Sequence, residues 1–168
     1  MKKLKIVITF LLVINSVHTF SQQTNKSINY ICYRYSHSMR IPYSEVTIEI
    51  FKKQKYAIVK VRSKAANNDK QWEYSKIKNE FKVDLKTFEK LTKKLVPLQT
   101  IELDKGMGFD GTNSEIEFGN GNKNFKYNAW TPELNTDKRG LNYFLDCCKE
   151  LILLGKLDPK EIFREKGT

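Results

Sequence analysis

The stretch EVTIEIFKKQKYAIVKVR, residues 45–62, gives the first sign of architecture. Val46, Ile48 and Ile50 alternate with Glu45, Thr47 and Glu49, the period of two that a half-buried strand shows because successive side chains leave opposite faces. Lys52 to Lys55 is too polar to bury and makes a turn, after which Tyr56 to Arg62 resumes as a further strand. Strands joined by so short a turn are antiparallel.

Working outward, Ile28 to Tyr35 (INYICYRY) is rich in β-branched and aromatic residues and reads as the first strand, with Ile41-Pro42 breaking the run before the second. Ala65 to Lys70, containing Asn67-Asn68-Asp69, is a polar loop leading to a fourth strand over residues 71–78, with Trp72 and Tyr74 on one face. At Asp84 the period changes. Asp84 can cap a helix, and Leu85, Phe88, Leu91, Leu95 and Val96 fall on one helical face until Pro97. Ser114 to Phe118 and Phe125 to Trp130 flank Gly119-Asn120-Gly121-Asn122, a β-hairpin around a glycine and asparagine turn. Leu141, Phe144, Leu145, Cys148, Leu151 and Ile152 follow helical spacing, with Asp137 as the start and Gly155 as the stop. Asp158-Pro159 opens a last turn that packs Ile162 and Phe163. The order predicts an α+β fold: an antiparallel sheet of a four-strand meander, a helix, a β-hairpin and a C-terminal helix, with the helices packed on one face.

At the N-terminus, Lys2, Lys3 and Lys5 precede the apolar run Ile6 to Ile14, and Thr19-Phe20-Ser21 offers small residues where a peptidase reads. That is the anatomy of a cleavable signal peptide over residues 1–21, with cleavage before Gln22. The run is too short for a membrane span, which takes roughly 20 apolar residues. Residues 22–168 are then expected to form one soluble α+β domain, exported to the periplasm or the medium. Loss of three lysines and no acid takes the formal charge from +11 to +8.

In an exported chain Cys32, Cys147 and Cys148 can form one disulfide. A vicinal bridge would strain a helix, so Cys32 with Cys148 is expected, Cys147 being the other candidate; the alternative is three buried thiols behaving as small hydrophobes.

No motif carries chemistry in context. Gly106-Met107-Gly108-Phe109-Asp110-Gly111 matches the dinucleotide fingerprint in letters, but a strand rather than a helix follows, so no cofactor is expected. His37 is the only histidine left after cleavage, which excludes a multi-histidine zinc site; no metal is expected. Asp104, Asp110, Glu115 and Glu117 are the densest carboxylates. Asp110 with Glu115 or Glu117 would serve a small hydrolase, and Asp104 with Asp110 a weak cation site, while the plainer reading is a turn and the solvent face of a strand. The positive charge allows a polyanion binder if Lys52, Lys53, Lys55, Lys93 and Lys94 merge into one patch. No nucleic acid is expected outside the cytoplasmic membrane, and the richness in Lys, Asn, Ile, Phe and Tyr also fits an AT-rich coding bias.

The leading expectation is therefore a non-enzymatic module of the cell envelope or extracellular space. It would bind another protein or a surface polymer through the region from Lys105 to Trp130, with Phe109, Asp110, Asn113, Tyr127 and Trp130 as contacts. The intact mass of the exported protein is expected to be that of a chain beginning at Gln22; a chain beginning at Met1 would remove the compartment from the argument.

Overall fold

The computed structural model describes residues 28–38, 44–66, 74–104, 106–108 and 110–164, so residues 1–27, with the expected signal peptide, lie outside it, as do Trp72, Lys105 and Phe109. The fold is α+β, built on one antiparallel sheet. Its strands are β1 (Tyr30–His37), β2 (Glu45–Lys52), β3 (Ala57–Ala66), β4 (Tyr74–Val83), β5 (Thr112–Gly119) and β6 (Asn124–Trp130), in the spatial order β4-β3-β2-β1-β5-β6. The helices are α1 (Leu85–Leu95), α2 (Asn142–Leu154) and α3 (Pro159–Phe163).

Alternation sorts the side chains by face. On one face lie Ile31, Tyr33 and Tyr35 of β1, Val46, Ile48 and Ile50 of β2, Val59 and Val61 of β3, and Ile116 and Phe118 of β5, all buried. The helices contribute Phe88, Leu91 and Leu95, then Phe144, Cys148, Leu151 and Ile152, then Ile162 and Phe163, to the same core. The Tyr35 hydroxyl donates to the Ile162 carbonyl at 3.0 Å, and the Tyr35 and Phe163 rings meet edge to face at 5.8 Å, which docks α3 on β1. Gly155, just after α2, lies so close to Ile48 that a Cβ there would come within 2.7 Å of its Cδ1.

Local chemistry sets the helix ends. The Asp84 carboxylate accepts from the Thr87 amide at 2.6 Å, the capping expected of it. After Leu95 the chain tightens into a 3-10 turn, Val96–Thr100, where Pro97 lacks only an amide hydrogen that a first turn leaves unbonded. The last long helix begins at Asn142 rather than near Asp137. Asn135 and Gly140 adopt left-handed φ values of 53° and 64°, which break any helix before that point, and Asp137 instead accepts from the Asn142 side chain at 2.7 Å.

The fourth strand runs from Tyr74 to Val83, five residues beyond its expected end. Its second half is held by backbone pairing with β3, where Asn79 faces Val61 and Phe81 faces Val59, and not by hydrophobic alternation strong enough to be read from the sequence.

The expected Cys32–Cys148 disulfide is corrected: Cys32, Cys147 and Cys148 are all free and buried. Cys32 lies between Ile31 and Tyr33 on β1 and so points to the face opposite theirs, beside Glu49 and Glu117. Cys148 lies on α2 against Tyr33 and Ser114, so the sheet stands between the two sulfurs. Cys147 turns toward α1, its sulfur 3.8 Å from the Lys94 carbonyl, and burial pushes its thiol up to about 12. Alkylation of the denatured protein without reductant is expected to modify all three thiols, and the native protein to react slowly at each. Recovery of a single alkylatable thiol would contradict the strand register.

Candidate functional site

The second face of the sheet is built from the alternate residues of the same strands and is a lattice of charge. At its centre the Arg34 guanidinium donates to Glu115 at 2.7 Å and to Glu117 at 2.9 Å, while Lys126 reaches Glu115 at 2.9 Å. Arg62 meets Glu49 at 3.0 Å, Lys60 meets Glu80 at 3.3 Å and Lys64 meets Glu45 at 3.4 Å. These follow from register, because Arg34 lies opposite Glu115, Glu117 opposite Lys126, and Lys60 between Glu49 and Glu80. Arg34 is 44% exposed, so each of its pairs contributes at most about 1 kcal/mol. Their effect on proton affinity is clear in direction: the Arg34 hydrogen bond holds the Glu117 carboxyl below its ordinary value. Cys32 lies beneath this layer, its thiol raised by burial.

Toward one end of the sheet this face hollows into three adjoining depressions that share Glu45. One of about 420 Å³ is lined by Thr47, Arg62, Lys64, Lys76 and Lys78. A second, of about 280 Å³, lies over Arg34, Ser36, Thr47, Asn113 and Glu115. The third, of about 310 Å³, is bounded by Ser36, His37, Ser38, Ser44, Asn113 and Trp130.

The wall of the third depression is the glycine-rich loop. Gly106 takes a left-handed φ of 60°, and at Gly108 the backbone comes so close to the Trp130 indole that an added Cβ would clash with its ring. Only glycine permits that approach. Arg139 clamps the arrangement from behind, with its side chain 14% exposed. One terminal nitrogen donates to the carbonyls of Trp130 at 2.9 Å and Asp104 at 3.1 Å, the other to Thr131 at 2.9 Å and Leu134 at 3.3 Å. Its Nε lies 3.4 Å from the Asp104 carboxylate. The loop thus presents Met107 at its tip, 95% exposed.

Of the residues expected to make contacts, Asn113 and Trp130 face each other across β5 and β6 at the third depression, and Asp110 is exposed in the loop beside them. Phe109 lies outside the described residues. Tyr127 is not brought together with the others: it belongs to the opposite face, where it stacks on Phe118 at 5.9 Å and packs against the core. The strand that follows Gly111 is β5, in keeping with the loop reading of the glycine motif. Lys52 is turned to Glu89 and the Phe88 ring, and Lys94 is bonded to Glu150, so two of the five lysines expected to form a patch are engaged on α1 and α2.

A second polar group lies between the sheet and α2. Tyr33 and Ser114 share a hydrogen bond of 3.3 Å, and the Thr112 hydroxyl donates to both Glu133 oxygens, at 2.9 and 3.1 Å. Burial raises Glu133 above its ordinary value. Arg34, Arg139 and Glu133 had no signal in the sequence, since each acts through partners 5 to 83 residues away. Among the described residues no three of His, Cys, Asp or Glu are grouped to hold a metal ion, and no helix is long and apolar enough to cross a membrane.

The chain matches no protein-family model and no curated protein. The reading of the site therefore stands on its geometry.

Replacing Gly108 by Val, or Arg139 by Ala, is expected to lift the loop from Trp130. In a Trp72→Phe background the emission of Trp130 should shift to the red in both variants. An unchanged spectrum would show that the indole is not covered by this loop.

Proposed function

We propose that the protein is a non-enzymatic binding module of the cell envelope or extracellular space, with its helices on one face of the sheet and its contact surface at the loop end of the other. The observation that carries this reading is the close seat of Gly106, Gly108 and Gly111 on Trp130, whose carbonyl Arg139 clamps together with that of Asp104, beside an open, hydroxyl-lined depression. A surface already ordered before binding loses little conformational entropy on association. Met107, flexible and polarisable, is suited to an adaptable contact at its tip.

The carboxylates favour binding over hydrolysis. A general acid or base near neutral pH needs a carboxyl with raised affinity for protons and access to substrate. Arg34 shifts Glu117 in the opposite direction, and Glu115 is shared between Arg34 and Lys126. Glu133 is shifted upward but has both oxygens engaged by Thr112. Compartment rests on the N-terminal sequence, and the partner is inferred to be another exported protein.

A photo-crosslinking residue placed at Met107 or Asn113 in the full chain, expressed in its own cells, is expected to capture one discrete partner, while the same probe at Lys90 on α1 captures none. Absence of any adduct at Met107 and Asn113, or equal adducts at Lys90, would overturn the assignment of this surface.

A further inference from the structure

At the β3–β4 end of the charged face, the pairing rule that governs the rest of the lattice is reversed. Every other directly opposed charged pair in the described sheet joins opposite signs: Arg34 with Glu115, Glu49 with Lys60, Lys60 with Glu80 and Glu117 with Lys126. Arg62 instead faces Lys78, and Lys64 faces Lys76, in two successive rows. Like charges directly opposite are unfavourable. Glu49 partly offsets Arg62 and Glu45 partly offsets Lys64, whereas Lys76 and Lys78 have no carboxylate partner among the described residues.

Lysines on an edge strand guard a sheet against pairing with other chains, and β4 is an edge strand. That role accounts for Lys76 and Lys78. Arg62 and Lys64 on the interior strand β3 answer Glu49 and Glu45, so the corner as a whole holds four cations against two carboxylates and keeps a net positive charge.

The four cations line the depression of about 420 Å³ together with Thr47 and Glu45. Pleat geometry spaces them about 5 Å apart across the strands and about 7 Å along them. An array of that extent is too broad for one compact anion to neutralise and suits successive charges along a chain. The Thr47 hydroxyl and the Glu45 carboxylate supply a donor and acceptors of the kind that sugar hydroxyls meet.

We propose that Arg62, Lys64, Lys76 and Lys78 form a binding site for a linear acidic polysaccharide, one carrying sulfate or carboxylate groups. The site is separate from the loop surface at Met107 and does not depend on a protein partner there.

Heparin serves as the probe, with neutral dextran and oligothymidylate as comparisons, all at a stated salt near 0.15 M. The wild-type chain is expected to bind heparin and not dextran. Lys76→Glu with Lys78→Glu should weaken heparin binding on the order of tenfold or more and flatten its salt dependence. The same charge change on α1, Lys90→Glu with Lys93→Glu, should leave most of the binding in place. The melting temperature of the Lys76→Glu, Lys78→Glu variant should rise, since each new carboxylate faces Lys64 or Arg62, which separates lost binding from lost folding. Equal loss in both double variants would reduce the effect to net charge and overturn the site. So would no retention on heparin, tighter binding to oligothymidylate, or a lowered melting temperature in the β4 variant.

Discussion

β1 is hydrogen-bonded on both sides, to β2 along Tyr30–Ser36 and to β5 along Tyr30–His37, and the rest of the molecule is arranged around that double pairing. The pairing with β5 joins segments about 80 residues apart and closes the helix α1 inside the connection. Loop closure on that scale costs entropy before any contact rewards it, and β1 makes contacts on both faces that offset this cost. Tyr33 and Tyr35 supply them on the core face, bonded to Ser114 and to the Ile162 carbonyl. Arg34 supplies them on the other, where one guanidinium ties β1 to two carboxylates of β5. Cys32, placed between these residues by alternation alone, is thereby kept apart from Cys148.

The same alternation gives the charged face its order. Opposed strands present opposite charges where the sheet is central, and the resulting pairs are individually weak but collectively restrict which register the strands adopt. The β3–β4 corner departs from this pattern, and departures from local consistency are where a fold gives up some stability for another purpose. Its depression shares Glu45 with the other two and draws on different cationic side chains from the loop surface.

The glycines beside Trp130 show how residues without side chains are held in place. Gly106, Gly108 and Gly111 are costly to order, because glycine loses more conformational freedom on ordering than any other residue. Two interactions offset that loss: the close seat on Trp130, which needs the missing Cβ, and the Arg139 side chain, which satisfies four backbone carbonyls at once. A surface formed in this way is stiff at its base and exposed at Met107.

The sequence by itself determined which segments form strands and helices wherever the hydrophobic period was strong. Val46, Ile48 and Ile50 announced β2, Phe88, Leu91 and Leu95 announced α1, and Asp84, Pro97 and the glycine and asparagine turn marked their boundaries, because these signals are local and arise from backbone sterics and side-chain spacing. The second half of β4 and the true start of α2 were not legible, since one is held by pairing with β3 and the other is set by left-handed residues in a polar stretch. Of the candidate site, Trp130 was legible as the end of a strand and Asn113 as a turn residue beside the loop. Only the tertiary structure decided that Tyr127 faces away from them, that Arg139 clamps the loop, that Cys32 and Cys148 lie on opposite sides of the sheet, and that Arg62 and Lys64 stand against Lys78 and Lys76. All four depend on register and on contacts between distant segments, and a shift of one residue in a strand would reverse every face assignment.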